Sequence, residues 1–270
     1  MGLGMNDLKK IARMLRRDVV TMVSRAKAAH VASCLSCIEI LTSLYFDLAD
    51  LDPWNPKNPR RDRIILSKGH AAPALYACLA ERGFFPREML DAYGRNGSSL
   101  GEHVSYGLTP GVECTTGSLG HGLGVGIGMA KAIKSTGRKS QVHVVMSDGE
   151  CNEGSVWEAA LWAPKHELNN LTAWIDMNGW QATDRTENVT SLNPMAEKWR
   201  SFGWEVLEAD GHDFPSLLKA GREPRSNLPR VILAQTVKGK GVSFMENDLE
   251  WHYRPPMGDE FIQAMSELGD

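Results

Sequence analysis

Apolar residues recur every three to four positions through residues 7–29, with lysine and arginine between them, which is the spacing of an amphipathic helix. The same spacing through residues 34–48 predicts a second helix. Beyond residue 60 the pattern changes. Short apolar runs at 63–66 (RIIL), 142–147 (VHVVMS), 171–176 (LTAWID), 204–208 and 231–236 read as strands. Helical spacing returns between them at 119–135, from near Gly154 onward, at 194–201 and at 214–220. This alternation predicts an α/β fold: a doubly wound, mostly parallel sheet with helices on both faces, residues 1–270 forming a single domain. The sequence carries no internal repeat and no second block of strands and helices.

The most informative unit spans 142–178. Its two strands and intervening helix predict a right-handed crossover between parallel strands, and strands that pair in such a unit lie about 5 Å apart. Asp148 follows the first strand and Asn178 the second, 30 positions apart. Both are thereby delivered to the carboxyl edge, where doubly wound sheets bind ligands. A carboxylate, an amide oxygen and a backbone carbonyl just after Asn178 make a hard, oxygen-only and incomplete ligand set. Mg2+ suits it, with Ca2+ or Mn2+ as substitutes, because magnesium takes about six oxygens and commonly completes its shell with water and phosphates. Gly149 lets a diphosphate approach the backbone, and the helix starting near Gly154 aims free N–H groups at the same place.

Residues 94–117 are dominated by Gly, Ser, Thr and Pro, an unusually long connection that reads as a binding segment. The helix at 119–135 holds Gly120, Gly122, Gly124, Gly126 and Gly128. Each glycine in a helix interior costs roughly 0.5–1 kcal/mol relative to alanine, so the five are read as one side that another backbone approaches closely. Of the eight histidines, His30, His70, His103, His121 and His252 fall in or beside loops and helix ends. His143, inside a strand, and His166 and His212, in polar segments, read as structural.

Composition narrows the partners. A net charge of -3 with 23% charged residues lacks the basic excess that nucleic acid rewards. No apolar run is long enough for a membrane span and the N-terminus lacks a signal-peptide core, so a cytoplasmic protein is expected. Five cysteines, an odd number, imply no disulfide framework, and Cys34-x-x-Cys37 has no second ligand pair and reads as core.

The run SDGECNEGSVWEAALWAPKHELNNLTAWIDMNG, from Ser147, resembles the thiamine diphosphate motif of transketolases, (G/S)DGE…EG..WEA…NL….D.N. The resemblance extends in ordered blocks from about His30 to His252, through SKGHAAPALYACLAERG, GEHVSYGLTPGVECTTGSLGHGLGVGIGMA and KGKGVSFMENDLEWH. It implies that thiamine diphosphate and its metal meet Asp148, Gly149, Glu150, Asn178 and Trp180, with Gly117, Leu119 and Gly120 packing on the diphosphate and thiazolium side. His30, His70, His103 and His252 would line the channel to the thiazolium ring. In that channel His70 and His103 would contact donor hydroxyls, and His30 and His252 would carry protons. Glu153 and Glu158 match glutamates at the subunit boundary, where Glu153 would help organise a catalytic glutamate of the partner.

The length fits one cofactor-binding domain. The resemblance therefore implies the N-terminal subunit of a split transketolase, whose pyrimidine-binding and C-terminal domains lie on a separate chain, in an assembly of two copies of each. Such an enzyme moves a two-carbon ketol unit from a ketose phosphate to an aldose, and this chain alone would be inert. Two other readings are a thiamine-dependent subunit for a 2-oxo acid or a specialised biosynthetic sugar, and a non-catalytic scaffold. Three departures bear on the donor: Ser147 replaces the first Gly of GDG, His121 replaces the Gln of GSLGQG, and Val104 follows His103.

Overall fold

Apolar side chains alternate along each strand between two faces, and that alternation decides the architecture. The computed structural model describes residues 3–269; Met1, Gly2 and Asp270, part of the expected single domain, lie outside the described residues. Strands β1 (Arg63–Leu66), β2 (Val142–Ser147), β3 (Leu171–Met177), β4 (Glu205–Asp210) and β5 (Arg230–Gln235) form one parallel sheet in the order β1-β2-β3-β5-β4. Val144, Ile175 and Val231 enter the core on one face, and their neighbours Val145, Trp174 and Ile232 enter the core on the other. A sheet buried on both sides explains why the strands read as continuous apolar runs.

The helices are α1 (Met5–Ala26), α2 (Val31–Ser36), α3 (Ile38–Ser43), α4 (Ala72–Glu81), α5 (Gly122–Ser135), α6 (Gly154–Lys165), α7 (Thr186–Thr190), α8 (Met195–Ser201), α9 (Phe214–Arg222) and α10 (Asp259–Leu268). α1 to α4, α9 and α10 cover one face, and α5, α6 and α8 the other.

Several expected boundaries move. The helix expected at 34–48 is broken into α2, α3 and a π-helical turn at Leu44–Leu48, because Cys37 leaves helical geometry (φ -101°, ψ 11°). α1 stops at Ala26, where left-handed Lys27 turns the chain toward His30. α4 was not anticipated: every residue from Ala72 to Ala80 is buried, so it shows no amphipathic period. α10, beyond Pro255 and Pro256, was also missed.

The glycines of α5 do not share one side. Gly122 and Gly126 face the sheet, where an added Cβ would lie 2.3 Å from Ser67 Oγ and 2.5 Å from Val144 Cγ2. At Gly124 and Gly128 an added Cβ meets nothing within 4 Å, so these point outward. Gly120 precedes the helix, in a left-handed turn (φ 82°). Positions two apart in a helix differ by about 200°, which puts alternate glycines on opposite faces.

Candidate active site

The carboxyl ends of β1, β2, β3 and β5 converge on a cleft of about 330 Å3 lined by His30, His70, His103 and His252. A larger groove, about 760 Å3, lies between residues 106–113 and the end of α5; Arg61 and Arg63, on its wall, are already paired with Glu113.

Four separate segments bring the histidines together. Left-handed His30 (φ 73°) precedes α2 and donates its backbone N–H to the His252 carbonyl at 2.9 Å. Its ring centroid lies 4.8 Å from that of His252, 5.3 Å from His70 and 6.3 Å from His103. A Cβ on Gly69 would fall 2.7 Å from Gly117 N, so only glycine lets the Ser67–His70 turn pack against the backbone that carries Gly117. A Cβ on Gly117 would in turn sit 3.0 Å from the His103 ring. Burial, then His103 and Lys238, pushes His30 down to about 4. Burial, then Lys238 and His30, pushes His252 down to about 3, and burial with Lys68 holds His70 well below the ordinary imidazole value. These three rings are neutral near pH 7.

Asp148 and Asn178 sit at the ends of adjacent strands, as their register requires, since Ser147 pairs with Asp176. Asp148 Oδ2 accepts from Gly179 N at 2.9 Å and from Thr186 Oγ1 at 3.0 Å. Burial, reinforced by Asp176, pushes the Asp148 carboxyl up to about 6, because its hydrogen-bond donors are neutral. A cation would relieve that cost. Asn178 Oδ1 accepts from Trp180 N at 3.0 Å, and its amide donates to Asp176 Oδ2 at 3.2 Å. Among the described residues no three His, Cys, Asp or Glu side chains form a metal-binding group. An oxygen set of one carboxylate, one amide and a backbone carbonyl fits a hard cation that keeps water and phosphate ligands.

Glu150 is fully buried; its carboxylate accepts from Ser67 Oγ, from Gly120 N at 2.8 Å and from Ser147 N at 3.4 Å. It therefore ties the turn 117–120 to the end of β2 rather than offering free oxygens. Ser147 lines the cleft, and its Oγ accepts from Glu150 N. Gly149, Leu119 and Trp180 also line the cleft, as does the exposed Glu153, whose Cβ would meet one added at Gly120. Glu158 is exposed and lies outside the cleft. His121 is exposed at the start of α5.

Sequence reasoning missed several groups. Lys238, nearly fully buried, reaches the cleft from the turn after β5 and donates to the Gln181 carbonyl at 3.2 Å. Burial, then Lys68, pushes its ammonium down to about 8. The glycines that follow it in KGKG, shortly after a strand, were the available signal. Trp180 Nε1, Gln181 Nε2 and Asn152 Oδ1 are shielded from solvent without a hydrogen-bond partner, and all three residues line this cleft. Unpaired polar atoms gathered in one cleft mark a place where a polar ligand completes the bonding.

Residues 7–269 match the family of the transketolase thiamine diphosphate-binding domain. One of the subunits of the apulose-4-phosphate transketolase of Actinobacillus succinogenes is 43% identical over 270 residues, covering 99% of this chain and 98% of that protein. The 6-deoxy-6-sulfo-D-fructose transketolase subunit SqwG of a Clostridium species is 39% identical over 264 residues, covering 97% and 96%. The crystal structure of Campylobacter jejuni transketolase superposes with a TM-score of 0.92 at 29% identity; it covers 99% of this chain, which spans 43% of that one. The chain belongs to the transketolase family, as an N-terminal, thiamine diphosphate-binding subunit.

Proposed function

We propose that this cleft holds thiamine diphosphate through a divalent cation, Mg2+ or in its place Ca2+ or Mn2+, bound by Asp148, Asn178 and the Trp180 carbonyl. The observation that carries the reading is that neutral imidazoles, unpaired polar atoms and Asn178 line one cleft, while the uncompensated carboxylate of Asp148, at the end of the strand beside that of Asn178, lies on the wall of a second pocket of about 320 Å3 at the same sheet edge. The bound cofactor supplies a carbanion-stabilising ring for breaking and making a carbon–carbon bond. The protein supplies position and proton transfer. Lys238, Gln181 and the backbone at Gly149, all lining the cleft, would hold the anionic end of the cofactor, and Leu119 would supply an apolar contact to it. His70 and His103 donate to oxygens of the ketose donor. His30 and His252, neutral and close to each other, take and return the hydroxyl proton as the ketol unit leaves the donor and joins an aldose.

The remaining domains are supplied by a C-terminal transketolase subunit on a separate chain, in an assembly of two copies of each. The outward face of α5, with Gly124, Val125 and Gly128, and the exposed Leu161 and Trp162 of α6 form the contact, with Glu153 and Glu158 at its edge. Because the two relatives above are named for acidic sugars, a 4-phosphate and a 6-sulfo compound, the donor is an anionic ketose of that kind. A cytoplasmic setting is part of this proposal. No helix among the described residues is long and apolar enough to cross a membrane. Mixing the chain with its partner, Mg2+ and thiamine diphosphate, then measuring ketol transfer from ketose phosphates and sulfonates alongside 2-oxo acid decarboxylation, tests the reading. Decarboxylation without ketol transfer would overturn it.

A further inference from the structure

Lys238 owes its direction to groups outside the cleft. Val237 N donates to His212 Nε2 at 2.8 Å, so that nitrogen is the acceptor and the ring proton resides on Nδ1. Nδ1 faces Glu39 Oε2 at 3.0 Å. Glu39 is gripped by both terminal nitrogens of Arg16, at 2.6 and 2.7 Å, and Arg16 Nε donates to the Lys240 carbonyl at 2.9 Å. The path begins at Val237 and returns at Lys240, which closes a ring around the turn whose second residue is Lys238. Burial alone would raise Glu39, but Arg16 and His212 outweigh it and hold the carboxyl at about 2, so the acceptor inside the ring stays charged.

Two glycines let the ring close. A Cβ on Gly211 would fall 2.3 Å from Thr236 Cγ2, and one on Gly241 would fall 3.1 Å from Arg16 Nε. Arg16, Glu39 and His212 line a separate pocket of about 240 Å3, and none of them lines the histidine cleft. On the cleft side, the ammonium of Lys238 has a hydrogen bond to the Gln181 carbonyl, and Thr236 Oγ1 donates to Asp176.

We infer that His212 is a positioning residue for the cofactor's anionic end, acting through Val237 to hold Lys238 aimed into the cleft. The inference rests on the placement of thiamine diphosphate proposed above. It assigns His212 a part in ligand affinity, where the sequence read it as structural.

The test is thiamine diphosphate titration, at saturating Mg2+, of the chain assembled with its partner, followed by tryptophan fluorescence. His212→Leu, which deletes the acceptor for Val237 N, is expected to weaken binding about tenfold. His212→Gln, whose amide oxygen can replace Nε2 as acceptor, is expected to recover most of that loss. In a Lys238→Met background, His212→Leu is expected to cost less than about twofold more, because residues acting through one another are not additive. Additive losses, a Gln variant no better than Leu, or unchanged affinity in His212→Leu would each overturn the inference. A wild-type assembly that binds no thiamine diphosphate would overturn the cofactor placement and this inference with it, whereas indifference at position 212 in an assembly that binds would overturn the inference alone.

Discussion

Lys68 and Asp176 form an ion pair in which both side chains are fully buried, beneath the cleft and two residues from His70 and Asn178 respectively. Burial alone would discharge both groups. Their mutual attraction wins, holding Lys68 above and Asp176 below its usual value, with Ser36, Thr236 and Asn178 adding hydrogen bonds to the carboxylate. The pair locks the turn after β1 to the end of β3, and so fixes the spacing between His70 and Asn178 across the cleft.

Removing one partner leaves a buried charge unpaired, which typically costs about 3–5 kcal/mol. Lys68→Met is expected to lose about that much stability in urea unfolding and to bind cofactor poorly. A loss under about 1 kcal/mol would show that the pair is solvated or dispensable.

Asp148 makes the metal-free chain sensitive to pH. Burial, then Asp176, raises the folded carboxyl to about 6, above the roughly 3.9 of an unfolded chain. Between those values the folded state binds more protons, so this group's contribution to stability falls as pH rises through the window. In EDTA the penalty above pH 6 is expected to be about 3 kcal/mol, absent in Asp148→Asn. Mg2+ with thiamine diphosphate should raise the melting temperature of wild type and leave that of the variant unchanged. An equal ligand response in both would remove Asp148 from the metal site.

His30 and His252 act in the opposite sense. An unfolded imidazole titrates near 6.5, whereas the folded rings are pushed by burial, then by neighbouring cations and histidines, to about 4 and about 3. The unfolded chain therefore binds more protons below about pH 6.5, and stability drains away as pH falls toward 4. Wild type minus His30→Asn, compared by urea unfolding at pH 7 and pH 5, should reveal this share. A difference independent of pH would mean that His30 titrates normally.

Gly124 points away from the sheet with open space around it. Gly124→Ala should stabilise the isolated subunit by about 0.5–1 kcal/mol, the helix-propensity gain, yet weaken association with the partner about tenfold or more in sedimentation. Gly126→Ala, which clashes with Val144, should destabilise the subunit itself. If Gly124→Ala assembled normally, the contact would lie on another face.

Trp180 Nε1 is shielded without an acceptor. Trp180→Phe deletes an unsatisfied donor, so stability should stay within about 0.5 kcal/mol of wild type, while thiamine diphosphate affinity falls about fivefold. Unchanged affinity would mean that the indole N–H does not face the ligand.

By itself the sequence determined the parallel α/β sheet, because strands buried on both faces carry runs such as VHVVMS that local pattern can register. It also determined that Asp148 and Asn178 share one edge, since a strand–helix–strand unit admits little else. Tertiary structure alone decided the rest. α4 is buried all round and has no polar face to set a period, and the glycines of α5 divide between two faces only once the helix is seated on the sheet. Lys238, Lys68 with Asp176, and the ring through His212 join residues far apart in the chain, and which of them meet is a matter of packing in three dimensions, on which one-dimensional spacing is silent.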